Sequence, residues 1–374
     1  MNYTNNDLIT IAKRENNTKR QFLLVNPLQG KHLHVSPKKS LALFKTLAEK
    51  VFSSDLKQYD HTLIIGFAET ATAIGTGLAV FAPENTAYIH TTREKFENLD
   101  FLYFNEEHSH ATDQMVIKNF LDQVLCKNTH IIFAEDEVTT GKTIENFIKV
   151  LLKAYPDYQL SFGIASILNG MGEEKLAELK ERNIDVNYLL PVPKYDYDNI
   201  LSKFSYEPSL QYVCKKSDVS YETITIGDYV DTRLGVMIED YVKLCENFSE
   251  KLTKELSLDN LSAKNILVLG TEEFMFAGIY FGNYLETHTN HKVSFHATTR
   301  SPILPSCEDN YPIKKRYQLT SFYEENRTTF LYNLETYDYV LVLTDSKEGT
   351  SAMAELCDAL AMNNCTNIMK ITWR

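Results

Sequence analysis

Short, wholly apolar runs alternate along this chain with stretches whose apolar residues recur every three or four positions. Ile131, Ile132, Phe133 and Ala134 form one such run, of the kind a strand buried on both faces of a parallel sheet requires. Beyond a polar gap, Ile144, Phe147, Ile148, Leu151 and Leu152 repeat with helical spacing. The same order recurs elsewhere. Thr62 to Ile65 reads as a strand running into the small-residue stretch Gly66 to Ala79, Thr86 to His90 as a second strand, and Leu160 to Leu168 as another. Ser40 to Phe52 reads as an amphipathic helix with Leu41, Leu43, Phe44, Leu47, Val51 and Phe52 apolar, and Gln21 to Val25 as an edge strand. Strands alternating with helical patterns predict an α/β fold on parallel sheets.

The 374 residues are long for one domain and fit two, and 44% hydrophobic with 24% charged residues can fill ordinary cores. No apolar run approaches the ~18 residues of a membrane helix, and the opening MNYTNNDLITIAKRENNTKR lacks the apolar core of a signal peptide. The expectation is a soluble, cytoplasmic protein with no membrane partner. Cys126, Cys214, Cys245, Cys307, Cys357 and Cys365 are scattered without a C-x-x-C pair, which predicts reduced thiols rather than structural zinc or disulfides. A formal net charge of −12 argues against broad nucleic-acid binding, which needs a basic face.

Candidate chemistry concentrates at strand ends. After Ala134 come Glu135 and Asp136, then Thr139, Thr140, Gly141, Lys142 and Thr143, and then the helical pattern. A strand, a small-residue loop and a helix start converge free N–H groups on an anion, while adjacent carboxylates can accept hydrogen bonds from vicinal sugar hydroxyls. The Gly-x-x-x-x-Gly-Lys spacing of a Walker loop is absent. Gly66 to Ala79 has the outline of a second phosphate-approach loop, and His90 to Glu94, HTTRE, follows the next strand. An ordinary βα turn of a doubly wound sheet would share these outlines.

The stretch EDEVTTGKT resembles the phosphoribosyl-diphosphate (PRPP) loop of type I phosphoribosyltransferases, departing from it at Glu137, where that family carries an apolar or small residue. The resemblance implies that Glu135 and Asp136 bind the ribose hydroxyls, that Thr139, Thr140, Gly141, Lys142 and Thr143 bind the 5′-phosphate, and that Ala68, Glu69, Thr70 and Arg93 address the diphosphate. Glu69 is an odd member of that set because an acid repels phosphate, unless Mg²⁺ bridges them or it faces another substrate. NEEHSHAT, Asn105 to Thr112, stands where the family has a mobile hood, and His108 or His110 could move a proton there.

The chain also repeats itself. NPLQGKHLHVSP, TLIIGFAETATAIG, AYIHTTRE and HIIFAEDEVTTGKTIENF are mirrored by VDTRLGVMIED, NILVLGTEEFMFAG, SFHATTRSP and DYVLVLTDSKEGTSAMAEL. Gly30 to Gly66 spans 36 positions and Gly235 to Gly270 spans 35; Arg93 to Gly141 spans 48 and Arg300 to Gly349 spans 49. The predicted architecture is two tandem doubly wound parallel-sheet units, residues 1–220 of type I phosphoribosyltransferase type and residues 221–374 a diverged copy. The second copy's ligand site would comprise Arg300, Asp345, Gly349, Thr350 and Ser351, with Lys314, Lys315 and Arg316 at its hood position. TTRSP, Thr298 to Pro302, resembles the signature of the Thr-Arg-Ser-Pro (TRSP) domain that follows a phosphoribosyltransferase domain in bacterial tellurium-resistance and stress-response gene clusters.

Together these resemblances imply a Mg²⁺-dependent phosphoribosyltransferase that uses PRPP and an unidentified base-like or nucleophilic acceptor, with Mg²⁺ arriving on PRPP rather than ligated directly by the protein, and Glu135 and Asp136 the residues that could meet it. Other readings stay open: a PRPP- or nucleotide-sensing module without turnover, a hydrolase or phosphorylase running ribosyl chemistry in reverse, and a tandem diphosphokinase. The repeat is compatible with a homodimer or with an intramolecular pseudo-dimer.

Overall fold

A computed structural model describes residues 2–17, 20–53, 59, 61–94, 96–104, 114–347 and 349–374. The chain begins with α1 (Asn5–Leu8), β1 (Thr10–Lys13), β2 (Phe22–Val25), α2 (Pro37–Val51), β3 (His61–Gly66), α3 (Thr72–Val80) and β4 (Thr86–His90). There follow β5 (Phe101–Phe104), β6 (Gln114–Ile117), α4 (Lys118–Val124), β7 (Thr129–Val138), α5 (Lys142–Ala154), β8 (Ser161–Asn169), α6 (Glu173–Glu181) and β9 (Ile184–Pro191). Next come α7 (Tyr197–Leu201), β10 (Gln211–Val213), β11 (Glu222–Ile226), β12 (Val236–Met237), α8 (Ile238–Glu255), β13 (Asn265–Gly270), α9 (Phe276–His288) and β14 (Lys292–Ala297). The chain closes with β15 (Arg316–Thr320), β16 (Thr328–Tyr332), β17 (Tyr339–Thr344), α10 (Ala352–Ala361) and β18 (Ile368–Trp373).

Packing divides the chain into two units that do not coincide with a cut near residue 220. The first comprises Ala42–Pro193 with Val230–Leu244, and the second comprises Asn2–Leu41, Lys194–Tyr229 and Cys245–Arg374. The repeat marks sequence similarity, whereas strand pairing and side-chain burial assign the opening segment of each copy to the unit built by the other copy.

In the first unit a six-stranded sheet runs β12-β4-β3-β7-β8-β9, parallel except for β12, which is antiparallel to β4. The second unit's sheet runs β11-β18-β17-β13-β14 and is parallel throughout. From β4 and from β14 the two sheets read in the same spatial order, and Val35 bridges Phe295 on β14 antiparallel, as β12 does β4. The expected central strands are the buried ones: Ile131, Ile132, Phe133 and Ala134 are fully enclosed, as are Leu341, Val342 and Leu343. Helix α5 buries Ile144, Phe147, Ile148 and Leu151 against the first core, while Leu152 lies off that stripe and is exposed.

Two local outcomes differ from the sequence pattern. Strand β7 continues through Glu135, Asp136 and Glu137, because β8 runs alongside it as far as Asn169 and pairs Glu135 with Ser166 and Glu137 with Leu168. The segment from Val186 to Tyr221 is rich in Tyr and Pro and has no clear period, yet it is partly regular, giving most of β9 to the first sheet and α7 and β10 to the second unit.

Candidate functional site

The first unit gathers three loops at the carboxyl ends of β3, β4 and β7. The loop after β3 is anchored by Phe67, 2% exposed, whose amide donates to Ala134 O on β7 over 3.1 Å. Its ring lies edge-on to Phe104 at 5.8 Å and to Phe147 of α5 at 6.3 Å, so this loop and the phosphate-loop helix share one aromatic core. The next peptide bond, Ala68-Glu69, is cis. Both polar groups of Ala68 are held: its N–H donates to Thr91 Oγ1 at 2.9 Å, and its carbonyl accepts from Gln114 Nε2 at 2.8 Å. The Thr91 hydroxyl in turn donates to Gln114 Oε1, closing the clamp in a buried setting. Neither Thr91 nor Gln114 was singled out by sequence reasoning. The signal for Thr91 is the Thr-Thr-Arg string shared by the two repeats.

Thr70 Oγ1 donates to Asp136 Oδ1 over 3.1 Å, which joins the expected diphosphate loop to the expected ribose acids. Alternation along β7 places Glu135 and Glu137 on one face and Asp136 on the other. A cavity of about 70 Å³ sits there, lined by Glu135, Glu137, Thr139, Thr140, Gly141 and Thr143. Gly141 caps α5 with φ +77°, and a Cβ at this position would lie 2.8 Å from Met171 Sδ, so backbone conformation and space both call for glycine. The N-terminus of α5 opens behind that glycine and directs partial positive charge toward the loop. Helix α5 is tied to α6 by Glu145, which meets Lys175 Nζ at 2.8 Å and also Arg182.

Arg93 is half-buried in the loop after β4, and its neighbour Thr92 exchanges two backbone hydrogen bonds with Met115 at 2.9 and 3.3 Å. Ala68, Glu69, Thr70 and Arg93 therefore stand on loops laced together, beside the Glu135-to-Thr143 stretch. His108 and His110 lie outside the described residues.

The second unit arranges its corresponding groups differently. Thr299 and Phe330 exchange backbone hydrogen bonds as Thr92 and Met115 do, so the β15–β16 hairpin matches β5–β6 and the hood position is the loop 321–327. Lys314, Lys315 and Arg316 are not that hood: Arg316 opens β15, buried against Glu15 and Gln211. The loop 321–327 instead engages the expected ligand residues. Asp345 accepts hydrogen bonds from Tyr323 and from Tyr229, the latter at 2.6 Å; Thr350 Oγ1 donates to Ser321 O at 2.8 Å; and the Ser351 amide donates to Glu325 Oε2 at 2.9 Å. Arg300 Nη2 meets Glu273 Oε1 at 3.0 Å, whereas space beside Gly349 is open. A carboxylate of the same chain thus lies where an anion would meet the start of α10, and the Ser351 amide holds the Glu325 carboxyl below its usual range.

Residues 8–191 match the family model described as phosphoribosyl transferase, and residues 231–360 match the TRSP domain found C-terminal to it. No curated protein matches the chain. Among solved structures, the chain is similar to adenine phosphoribosyltransferase from Rhodothermus marinus, with 16% identity over 50% of this chain and 96% of that one and a TM-score of 0.35. It is also similar to the Giardia lamblia enzyme crystallised with 9-deazaadenine, with 9% identity over 50% and 95% and a TM-score of 0.37. Orotate phosphoribosyltransferase from Aeropyrum pernix follows at 17% identity over 44% and 76%, with a TM-score of 0.27. The acid pair and the glycine-capped helix thus lie in the stretch, residues 8–191, that matches the phosphoribosyl transferase family model, and the TRSP match, residues 231–360, follows it.

Proposed function

We propose that the chain transfers a phosphoribosyl group from PRPP to a base-like or nucleophilic acceptor, making a nucleotide-like metabolite. One observation carries the reading: within the stretch matching the phosphoribosyl transferase family, an acid pair on the central strand β7 leads directly into the glycine-capped N-terminus of α5. Glu135 and Asp136 would hold the ribose hydroxyls, Thr139 to Thr143 the 5′-phosphate, and Ala68, Glu69, Thr70 and Arg93 the diphosphate. Catalysis would rest on positioning and on charge stabilisation as pyrophosphate leaves an oxocarbenium-like carbon. His108 or His110 would supply the proton transfer toward the acceptor.

The donor set suits Mg²⁺ arriving with the ligand. Carboxylate oxygens of Glu135 and Asp136 are hard donors of the kind Mg²⁺ takes. When bound, the ion would neutralise charge on the departing pyrophosphate. The chemistry is assigned to the first unit because it carries the acid pair Glu135 and Asp136, where the second unit has Thr344 and Asp345. A setting in a stress response is supported only by the resemblance of the TRSP signature.

Titration calorimetry with PRPP and Mg²⁺ on the wild type and Asp136→Asn tests the reading. Micromolar binding weakened at least tenfold by the substitution, about 1.4 kcal/mol, is expected. A folded wild type that does not bind PRPP would refute the proposal.

A further inference from the structure

We infer that the first unit's diphosphate loop is braced by the opening turn of the TRSP domain, Asp231–Gly235, with Thr232 as a positioning residue. The inference rests on the proposed function above. The TRSP match begins at residue 231, yet Val230–Leu244 packs within the first unit. Strand β12 pairs antiparallel with β4, which brings the turn before it to the carboxyl end of β4. The turn is defined by its own bonds: Arg233 N and Leu234 N donate to Asp231 Oδ1 and O, each at 2.9 Å, and Gly235 has φ +89°.

From that turn a hydrogen-bonded chain runs into the loop. Thr232 Oγ1 lies 3.1 Å from His90 Nε2, and His90 Nδ1 lies 2.9 Å from Thr91 O. A ring nitrogen facing a carbonyl must carry a proton, so in the neutral ring Nε2 is the acceptor and Thr232 the donor. Thr91 is the residue whose hydroxyl receives the Ala68 N–H and grips Gln114, which holds the Ala68 carbonyl. Thr232 therefore sets the imidazole that abuts the clamp on the Ala68-Glu69 peptide.

The second unit carries an independent counterpart. Asn26–Gly30 forms the same turn, with Leu28 N donating to Asn26 Oδ1 at 2.8 Å, Gln29 N to Asn26 O at 3.5 Å, and Gly30 at φ +76°. It leads into Lys31, fully buried, whose Nζ donates to Glu272 O at 2.9 Å. Glu272 N donates to Thr298 Oγ1 at 3.1 Å, as Ala68 N does to Thr91. In each unit, then, a residue in or just after such a turn starts a hydrogen-bonded path toward the loop after the first core strand, through His90 and Thr91 in the first unit and directly from Lys31 in the second.

Full-length wild type, Thr232→Val and Thr232→Ser are titrated with PRPP, inorganic pyrophosphate and ribose 5-phosphate in Mg²⁺, with melting curves confirming the fold. The expected result is a loss of about five- to tenfold for PRPP and pyrophosphate in Thr232→Val, the worth of one hydrogen bond. Ribose 5-phosphate binding should be unchanged, and Thr232→Ser should restore the other two. Thr232→Ala replaces Thr232→Val if the latter does not fold. Equal binding by all variants, or an equal loss for all three ligands, overturns the bracing role alone. A wild type that binds none of the three overturns both this inference and the functional reading.

Discussion

Replacing Thr91 by valine keeps the shape of a fully buried side chain and removes one hydroxyl. That hydroxyl accepts the Ala68 N–H at 2.9 Å and donates to Gln114 Oε1, so the substitution takes a partner from two groups at once. Leaving a buried polar group without its partner costs about 1–3 kcal/mol, which for the two sums to about 2–6 kcal/mol if the loop stays closed. In a unit of this size, 1 kcal/mol corresponds to about 2–4 °C in Tm, so about 3 kcal/mol predicts a fall of roughly 6–12 °C. Thermal melts of wild type, Thr91→Val and Thr91→Ser measure it, with the serine variant expected within about 2 °C of wild type because it keeps the hydroxyl. A valine variant melting within 2 °C of wild type would refute the claim that this clamp holds the loop. The same variant should lose PRPP affinity, since the Ala68 N–H would lose its acceptor and Gln114 the hydroxyl that orients it.

Further outcomes are expected elsewhere. Burial pushes the rings of His130 and His296 from 6.5 down to about 4, so between those values the unfolded chain binds protons that the folded chain refuses. Stability should therefore be intact above pH 6.5 and fall as pH drops toward 4, by at most about 3 kcal/mol for each ring. Urea midpoints from pH 7 to 4.5 report the slope, and His130→Gln should flatten it; a slope unchanged in that variant contradicts the assignment. Gly235→Ala should destabilise the first unit by about 2 kcal/mol or more, because φ is +89° and the new Cβ would fall 2.2 Å from the Phe120 ring. Gly172→Ala, with nothing within 4 Å of the new Cβ, serves as the clash-free control in the same melts and should cost less than Gly235→Ala.

Much of this molecule is written locally. The buried run Ile131 to Ala134, the Thr/Gly loop and the apolar stripe of α5 each signal themselves through short-range chemistry: burial on two faces, free amides at a helix start, and the 3.6-residue period. The shared order of motifs in the two halves is legible for the same reason, since similar turns and strand ends need the same residue types. Gln114 was not legible, because its role depends on the β5–β6 hairpin carrying it to Ala68, 46 positions earlier in the chain.

Tertiary structure alone decided which segment completes which sheet. Strand β12 is only Val236–Met237 and has no period of its own; its place beside β4 is fixed by pairing across almost 150 residues and by the fit of Gly235 against Phe120. It likewise decided that the second unit's anion groups are met from within: Glu325 reaches the Ser351 amide only because the β15–β16 hairpin folds back over α10. The sequence by itself determined strands, helices and the chemistry of their loops, because those follow from neighbours three or four residues away. The exchange of opening segments and the filling of the second site follow from contacts between residues far apart in the chain, which local pattern does not encode.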